Sequence, residues 1–175
     1  MRLFRASLLP RANFDPLDSG RSVARDGWRF NDRKTEILYA AEVEALALLE
    51  VVVRPGWELV REITVATIEV PNAAVVDLGD LGITLPTNWN GRPVARDAQS
   101  IGTEFLAALD ARPTKARLVV GVRVPSVIST SDRNVLLDPR QKAAYRVVDW
   151  ARIRCQSSGA LNLTALKTSS ACRSA

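Results

Sequence analysis

Strand-like segments recur along the whole chain, and only two stretches carry helical spacing. EILYAA (36–41), EITVATIEV (62–70), AVVDL (74–78), ARLVVGVRVPSVIS (116–129), NVLLDP (134–139) and AYRVVDWARI (144–153) are short, apolar and mostly rich in β-branched residues. EVEALALLEVVV (42–53) reads as a helix, with Glu42 and Glu44 at its positive N-terminal end and Pro55 and Gly56 after it. AQSIGTEFLAALD (98–110) has helical spacing through Ile101, Phe105, Leu106 and Leu109, weakened by Gly102. Strands outnumber helices and lie on both sides of them. That arrangement predicts a single mixed α+β domain around a central β-sheet.

The size agrees with one domain, since 175 residues can bury a real core. The sequence is 47% apolar and 25% charged, which is ordinary for a globular chain. No apolar run approaches the roughly 20 residues of a membrane span. The opening MRLFRASLLP sets a very short apolar patch between arginines and lacks a long apolar core with a cleavage site, so no secretory signal is expected. Cys155 and Cys172 form no disulfide framework, and a cytoplasmic location follows. Residues 13–28 and LPTNWNGRP (85–93) read as loops. Residues 154–175 are small and polar, and form a C-terminal tail whose composition allows disorder, leaving 1–153 as the domain.

Two facts about charge narrow the chemistry. The chain has no histidine, which excludes Ser-His-Asp and Cys-His catalysis and His-ligated metals. Any reaction must use carboxylates, hydroxyls, arginine, lysine or tyrosine, and no metal is expected. The net charge of +5 either serves solubility or attracts an anionic partner: nucleic acid, a phosphorylated metabolite or an acidic protein surface. The arginines are scattered, without a lysine-rich block or an aromatic-interleaved basic strip, which weakens the nucleic-acid reading.

Four polar positions stand out. In ALALLEVVV (45–53), Glu50 shares a helix face with Leu46, Ala47 and Val53, so it is at least partly sheltered. Either it pairs with Arg54 one turn on, or it has a task in the fold. Arg29 in GWRFN (27–31) is flanked by Trp28 and Phe30. Such an arginine either presents its planar fork to a phosphate or carboxylate, or lies along aromatic faces at the surface. Tyr39 is either core or a ring on which a flat heterocycle stacks, and a strand–helix hairpin can bring it to one cleft with Glu50. Ser126 follows Pro125 inside an apolar strand. It is either a turn residue or a hydrogen-bonding group, and a poor nucleophile without histidine. No Walker loop, GxGxxG or CxxC pair is present.

Together these residues resemble the RES domain, a family named for Arg, Glu and Ser. WRFNDRKTEILYAAEVEALALLE (28–50) fits the family pattern without gaps, and LPTNW, SIGTEFL, VRVPSVI and RNVLLDP follow in order. The resemblance covers about Phe4 to Pro139. It implies a fold similar to ADP-ribosyltransferase toxins and the role of a bacterial toxin that consumes NAD by hydrolysis or phosphorolysis. The implied partner is an Xre-like helix-turn-helix antitoxin, with a homodimer inside that complex left open. Direct nucleic-acid or membrane binding is not implied.

The implied roles make Glu50, Arg29 and Ser126 catalytic. Glu50 meets the ribose hydroxyls and the developing positive charge, Arg29 holds the pyrophosphate, and Ser126 bonds the nicotinamide amide or the adjacent ribose. Tyr39 stacks on nicotinamide, while Phe30, Asn31 and Asn134 shape the pocket and Arg5 contacts phosphate. Two alternatives stay open. One is transfer of ADP-ribose to a protein. The other is an inactive RES-like binding partner, since Lys34 stands where the family has Gly and Asp138 begins a DPRQ segment without the usual histidine.

Overall fold

The computed structural model describes residues 1–24, 26–53, 60–113 and 118–154, and the backbone at 166–167. Eight strands form one sheet: β1 (Arg2–Ser7), β2 (Leu38–Ala41), β3 (Glu62–Glu69), β4 (Val75–Asp77), β5 (Gly121–Pro125), β6 (Arg133–Leu137), β7 (Arg146–Arg154) and β8 (Leu166–Lys167). Their order is β4-β5-β6-β2-β1-β3-β7-β8, and only the β4–β5 pair is parallel. The helices α1 (Glu44–Val52) and α2 (Arg96–Asp110) complete the α+β architecture expected from the sequence.

The main departure is β1. The sequence reading took the N-terminus only as a short apolar patch, yet β1 pairs with β2 on one side and along its whole length with β3 on the other. Alternation explains it: Leu3 is fully buried on one face while Phe4 and Ala6 pack on the opposite one. The predicted strand at 116–129 is also shorter, starting at Gly121, and residues 114–117 lie outside the described set. Of the expected tail, Arg154 still belongs to β7 and Leu166–Lys167 pair with Ala151–Arg152; the remainder lies outside the described residues.

Each face of the sheet has its own core. One face carries Leu3, Leu38, Ala40, Ile68, Val75, Val120, Val135 and Leu137. The other is covered in two patches. Leu46 and Ala47 of α1 pack on Ala41, with Phe4 and Ala6 alongside, and Val52 packs with Ile63, Val65 and Ile153. Ile101 and Phe105 of α2 pack with Val122, Val124 and Leu136. Paired residues on neighbouring strands share a face, so Phe4, Ala41, Asn134 and Val124 form one row across β1, β2, β6 and β5. Ala41 belongs to the α1 patch and Val124 to the α2 patch, which sets Asn134 on the border between them.

Candidate active site

Glu50 lies in the last turns of α1, half-buried, and reaches this border. Its Oε1 accepts from Asn134 Nδ2 at 2.8 Å and from Ser126 Oγ at 3.1 Å. Ser126 is itself 6% exposed, and its Oγ accepts from the Ile128 backbone N–H at 3.0 Å. Pro125 ends β5, so the chain turns there and leaves Ser126 at the mouth of the β5–β6 hairpin. The Glu50 carboxylate is engaged by the sheet, while Arg54, the one-turn partner considered from sequence, lies outside the described residues.

Tyr39 lies on the same face. It pairs with Leu136 one row along from Ala41 and Asn134, within reach of diagonal side-chain contact. Its hydroxyl donates to Asn31 Oδ1 at 2.7 Å and accepts from the Phe30 N–H at 3.2 Å, and its ring lies 5.0 Å from that of Trp28. Burial pushes the Tyr39 phenol above its ordinary range, while the Phe30 N–H and the Arg29 charge act the other way.

Arg29 stands at the corner of a tight turn closed by the Trp28 N–H on the Asn31 carbonyl at 2.9 Å. Gly27 enters this turn at φ 81, and a Cβ there would meet Asn31 O at 2.3 Å, so only glycine fits. Asn31 is fully buried and pins the turn from within: Nδ2 donates to the carbonyls of Ser22, Asp32 and Thr35. Of the two aromatics, Phe30 stacks on Trp89 at 6.1 Å while Trp28 covers Tyr39. Arg29 Nη1 donates to the carbonyls of Trp89 at 2.7 Å and Gly91 at 3.2 Å. The sequence reading had no role for 85–93 beyond a loop. A tryptophan inside a Pro/Asn/Gly-rich segment was the available signal that this loop has something to pack against.

Arg29, Phe30, Asn31 and Tyr39 thus form one connected group, and Glu50, Ser126 and Asn134 form a second beside it on the same face. Arg5 joins neither. It lies on the Leu3 face of β1, opposite to Phe4, and its Nη1 donates to the carbonyls of Pro16 and Asp18 at 2.7 Å each. Burial lowers its pKa to about 10, with Asp18 and Asp15 opposing the shift. The expected phosphate contact by Arg5 is therefore corrected to a role in holding the 14–18 segment across the far face. A cavity of about 430 Å³ on that far side, lined by Met1, Glu69, Val70, Tyr145 and Arg146 among others, is likewise separate from Glu50.

A family model for the RES domain matches residues 2–158. The chain belongs to the RES domain family. Among its relatives are two proteins named Toxin Res. The one from Photorhabdus laumondii is 28% identical over 132 residues, 75% of this chain and 78% of the relative. The one from Yersinia enterocolitica is 29% identical over 126 residues, 71% and 76% of the two chains. A Prs ADP-ribosylating toxin from a Sphingobium strain is 33% identical over 126 residues, 69% of this RES chain and 71% of that relative. In the RES domain described here, no helix among the described residues is long and apolar enough to cross a membrane.

Proposed function

We propose that this chain is the toxin of a bacterial toxin–antitoxin pair, and that it depletes cytoplasmic NAD by cleaving the nicotinamide–ribose bond. The observation that carries this reading is a carboxylate, Glu50, fixed by two donors on the sheet face that also holds Tyr39 against the Arg29 turn. The toxin names of the relatives support the biological role.

The chemistry suits a site without histidine. The ribose C1–N bond breaks with its electron pair leaving on nicotinamide, which departs as a neutral base and needs no general acid. Positive charge develops on the ribose as an oxocarbenium-like species. Glu50 accepts hydrogen bonds from the ribose hydroxyls and stabilises that charge in a half-buried setting, where electrostatics act more strongly than in water. Water or phosphate then forms the new C–O bond and releases a proton to solvent. Arg29, oriented through Trp89 and Gly91, supplies positive charge for the pyrophosphate. The Tyr39 ring and its aromatic neighbours give the nicotinamide a flat surface.

Incubating purified protein with NAD, with and without phosphate, tests this. Free ADP-ribose marks hydrolysis and its phosphate ester marks phosphorolysis; absence of nicotinamide release overturns the reading. A second reading, ADP-ribose transfer to a protein, is favoured by the name of the Sphingobium relative and is recognised by protein-bound label from labelled NAD. The proposed neutraliser is an Xre-like helix-turn-helix antitoxin. Co-purification from a strain expressing both proteins checks that partner, and the mass of the complex tells whether the toxin is dimeric within it.

A further inference from the structure

Both donors to Glu50 meet the same oxygen. Asn134 Nδ2 and Ser126 Oγ converge on Oε1, and no described residue donates to Oε2. The terminal torsion of a glutamate is intrinsically broad, so an unsupported carboxylate would sample many orientations. Two charge-assisted bonds on one oxygen remove that freedom and aim the other oxygen. The two donors are themselves fixed. Asn134 sits within β6, paired to Ala41 on one side and Val124 on the other. Ser126 accepts from the Ile128 N–H and has a single proton, which is directed at Glu50.

We infer that Asn134 is a positioning residue which, together with Ser126, occupies Oε1 of Glu50 and leaves Oε2 as the oxygen that meets the ribose. This rests on the reading above that Glu50 faces ribose. It reassigns Ser126: a hydroxyl whose one proton goes to Oε1 has none to donate to the nicotinamide carbonyl, so as a donor Ser126 acts through Glu50. Asn134 also passes from a residue that shapes the pocket to one that sets the direction of the acid. The gain is preorganisation, because the carboxylate need not turn when charge develops on the sugar.

The test compares Ser126→Ala, Ser126→Thr, Asn134→Ala and Asn134→Asp, each checked for folding by circular dichroism. Asn134→Ala and Ser126→Ala are expected to lower kcat for nicotinamide release about 10- to 100-fold with KM for NAD little changed. Asn134→Asp keeps the shape, loses the donor and adds a like charge, so it falls below Asn134→Ala. Ser126→Thr restores most of the rate, and inhibition by added nicotinamide is unchanged in Ser126→Ala. A raised KM at constant kcat, weakened nicotinamide inhibition, or an Asn134→Asp enzyme as fast as wild type overturns the inference. If wild-type protein releases no nicotinamide, the NAD reading fails separately. The positioning role is then decided by crystal structures of wild type and the Ser126→Ala/Asn134→Ala double variant. A Glu50 carboxylate that turns or spreads when both donors are gone supports it, and one that keeps its orientation overturns it.

Discussion

The Tyr39 hydroxyl and the Asn31 side-chain carbonyl meet at 2.7 Å inside the turn that presents Arg29. A residue of a sheet strand thereby fixes a residue of the preceding loop, and the same hydroxyl also accepts the Phe30 N–H. Tyr39 therefore has a structural task through its oxygen, separable from any stacking by its ring. Tyr39→Phe leaves the buried Asn31 Oδ1 without its donor and is expected to cost about 1–3 kcal/mol, read as a lowered midpoint in denaturant. Nicotinamide release should fall far less than in Tyr39→Ala, which removes the ring as well.

The chain's two tyrosines, Tyr39 and Tyr145, give a pH signature. Burial pushes both phenols above their ordinary value, and for Tyr145 the Asp138 charge adds to it. A group whose folded pKa is raised holds its proton more tightly when folded. Its stabilisation is complete below the unfolded value of about 10 and is lost as pH rises above that. Tyrosinate absorbance should therefore be small in native protein near pH 10.5 and appear on unfolding. Native protein that titrates both tyrosines near pH 10 contradicts this.

Glu50→Gln should retain the fold, because the amide carbonyl oxygen still accepts from Asn134 and Ser126. Turnover should drop by about 10²–10³-fold or more, as expected when a charge aimed at the transition state is removed. Nicotinamide release and growth arrest on induction measure it, with thermal midpoints alongside. Unchanged release would remove Glu50 from the proposed chemistry.

Gly102 weakens the α2 helix on propensity, yet it is where α2 approaches the Arg29 turn most closely. Its N–H donates to the Phe30 carbonyl at 2.7 Å, and an added Cβ would lie 2.5 Å from that oxygen and 3.2 Å from Asn31 Cβ. Gly102→Ala must displace backbone, at about 1–3 kcal/mol for overpacking. For a chain of this size each kcal/mol lowers the melting midpoint by about 2–4 °C. Displacing the turn should also raise KM for NAD, whereas Gly79→Ala, which meets nothing nearby, serves as the control.

Asp138 is almost fully buried and accepts from Arg140 Nε, Nη2 and N–H and from Gln141 Nε2. Burial works to raise its pKa, but the bonds from Arg140 and Gln141 outweigh it and hold the carboxyl below its usual range. A depressed folded pKa adds stability above the unfolded value of about 3.9, lost as pH falls through the folded one. Asp138→Asn should thus cost about 1–3 kcal/mol at pH 7 and progressively less as the pH is lowered below the unfolded value, seen by chemical denaturation across that range.

Much of the architecture was legible before any coordinates. Apolar spacing fixed α1 and α2 within a few residues, and β-branched runs marked β3, β5, β6 and β7, because burying one face imposes a local period on the chain. The ordered motifs from Trp28 to Pro139 gave the family, and with it Arg29, Tyr39, Glu50 and Ser126 as the candidates. Periodicity did not show β1, whose interleaved arginines broke the apolar pattern and read as surface. Nor could it show which residues meet. Glu50 and Asn134 are 84 positions apart, and their bond depends on β2 and β6 pairing in a register that sets Asn134 beside Ala41. Arg5 matched an expected residue type and was lost to strand parity, which sends alternate side chains to opposite faces. Residue identity is carried by the chain, whereas the side of the sheet and the partner across it arise from long-range pairing that no local window contains.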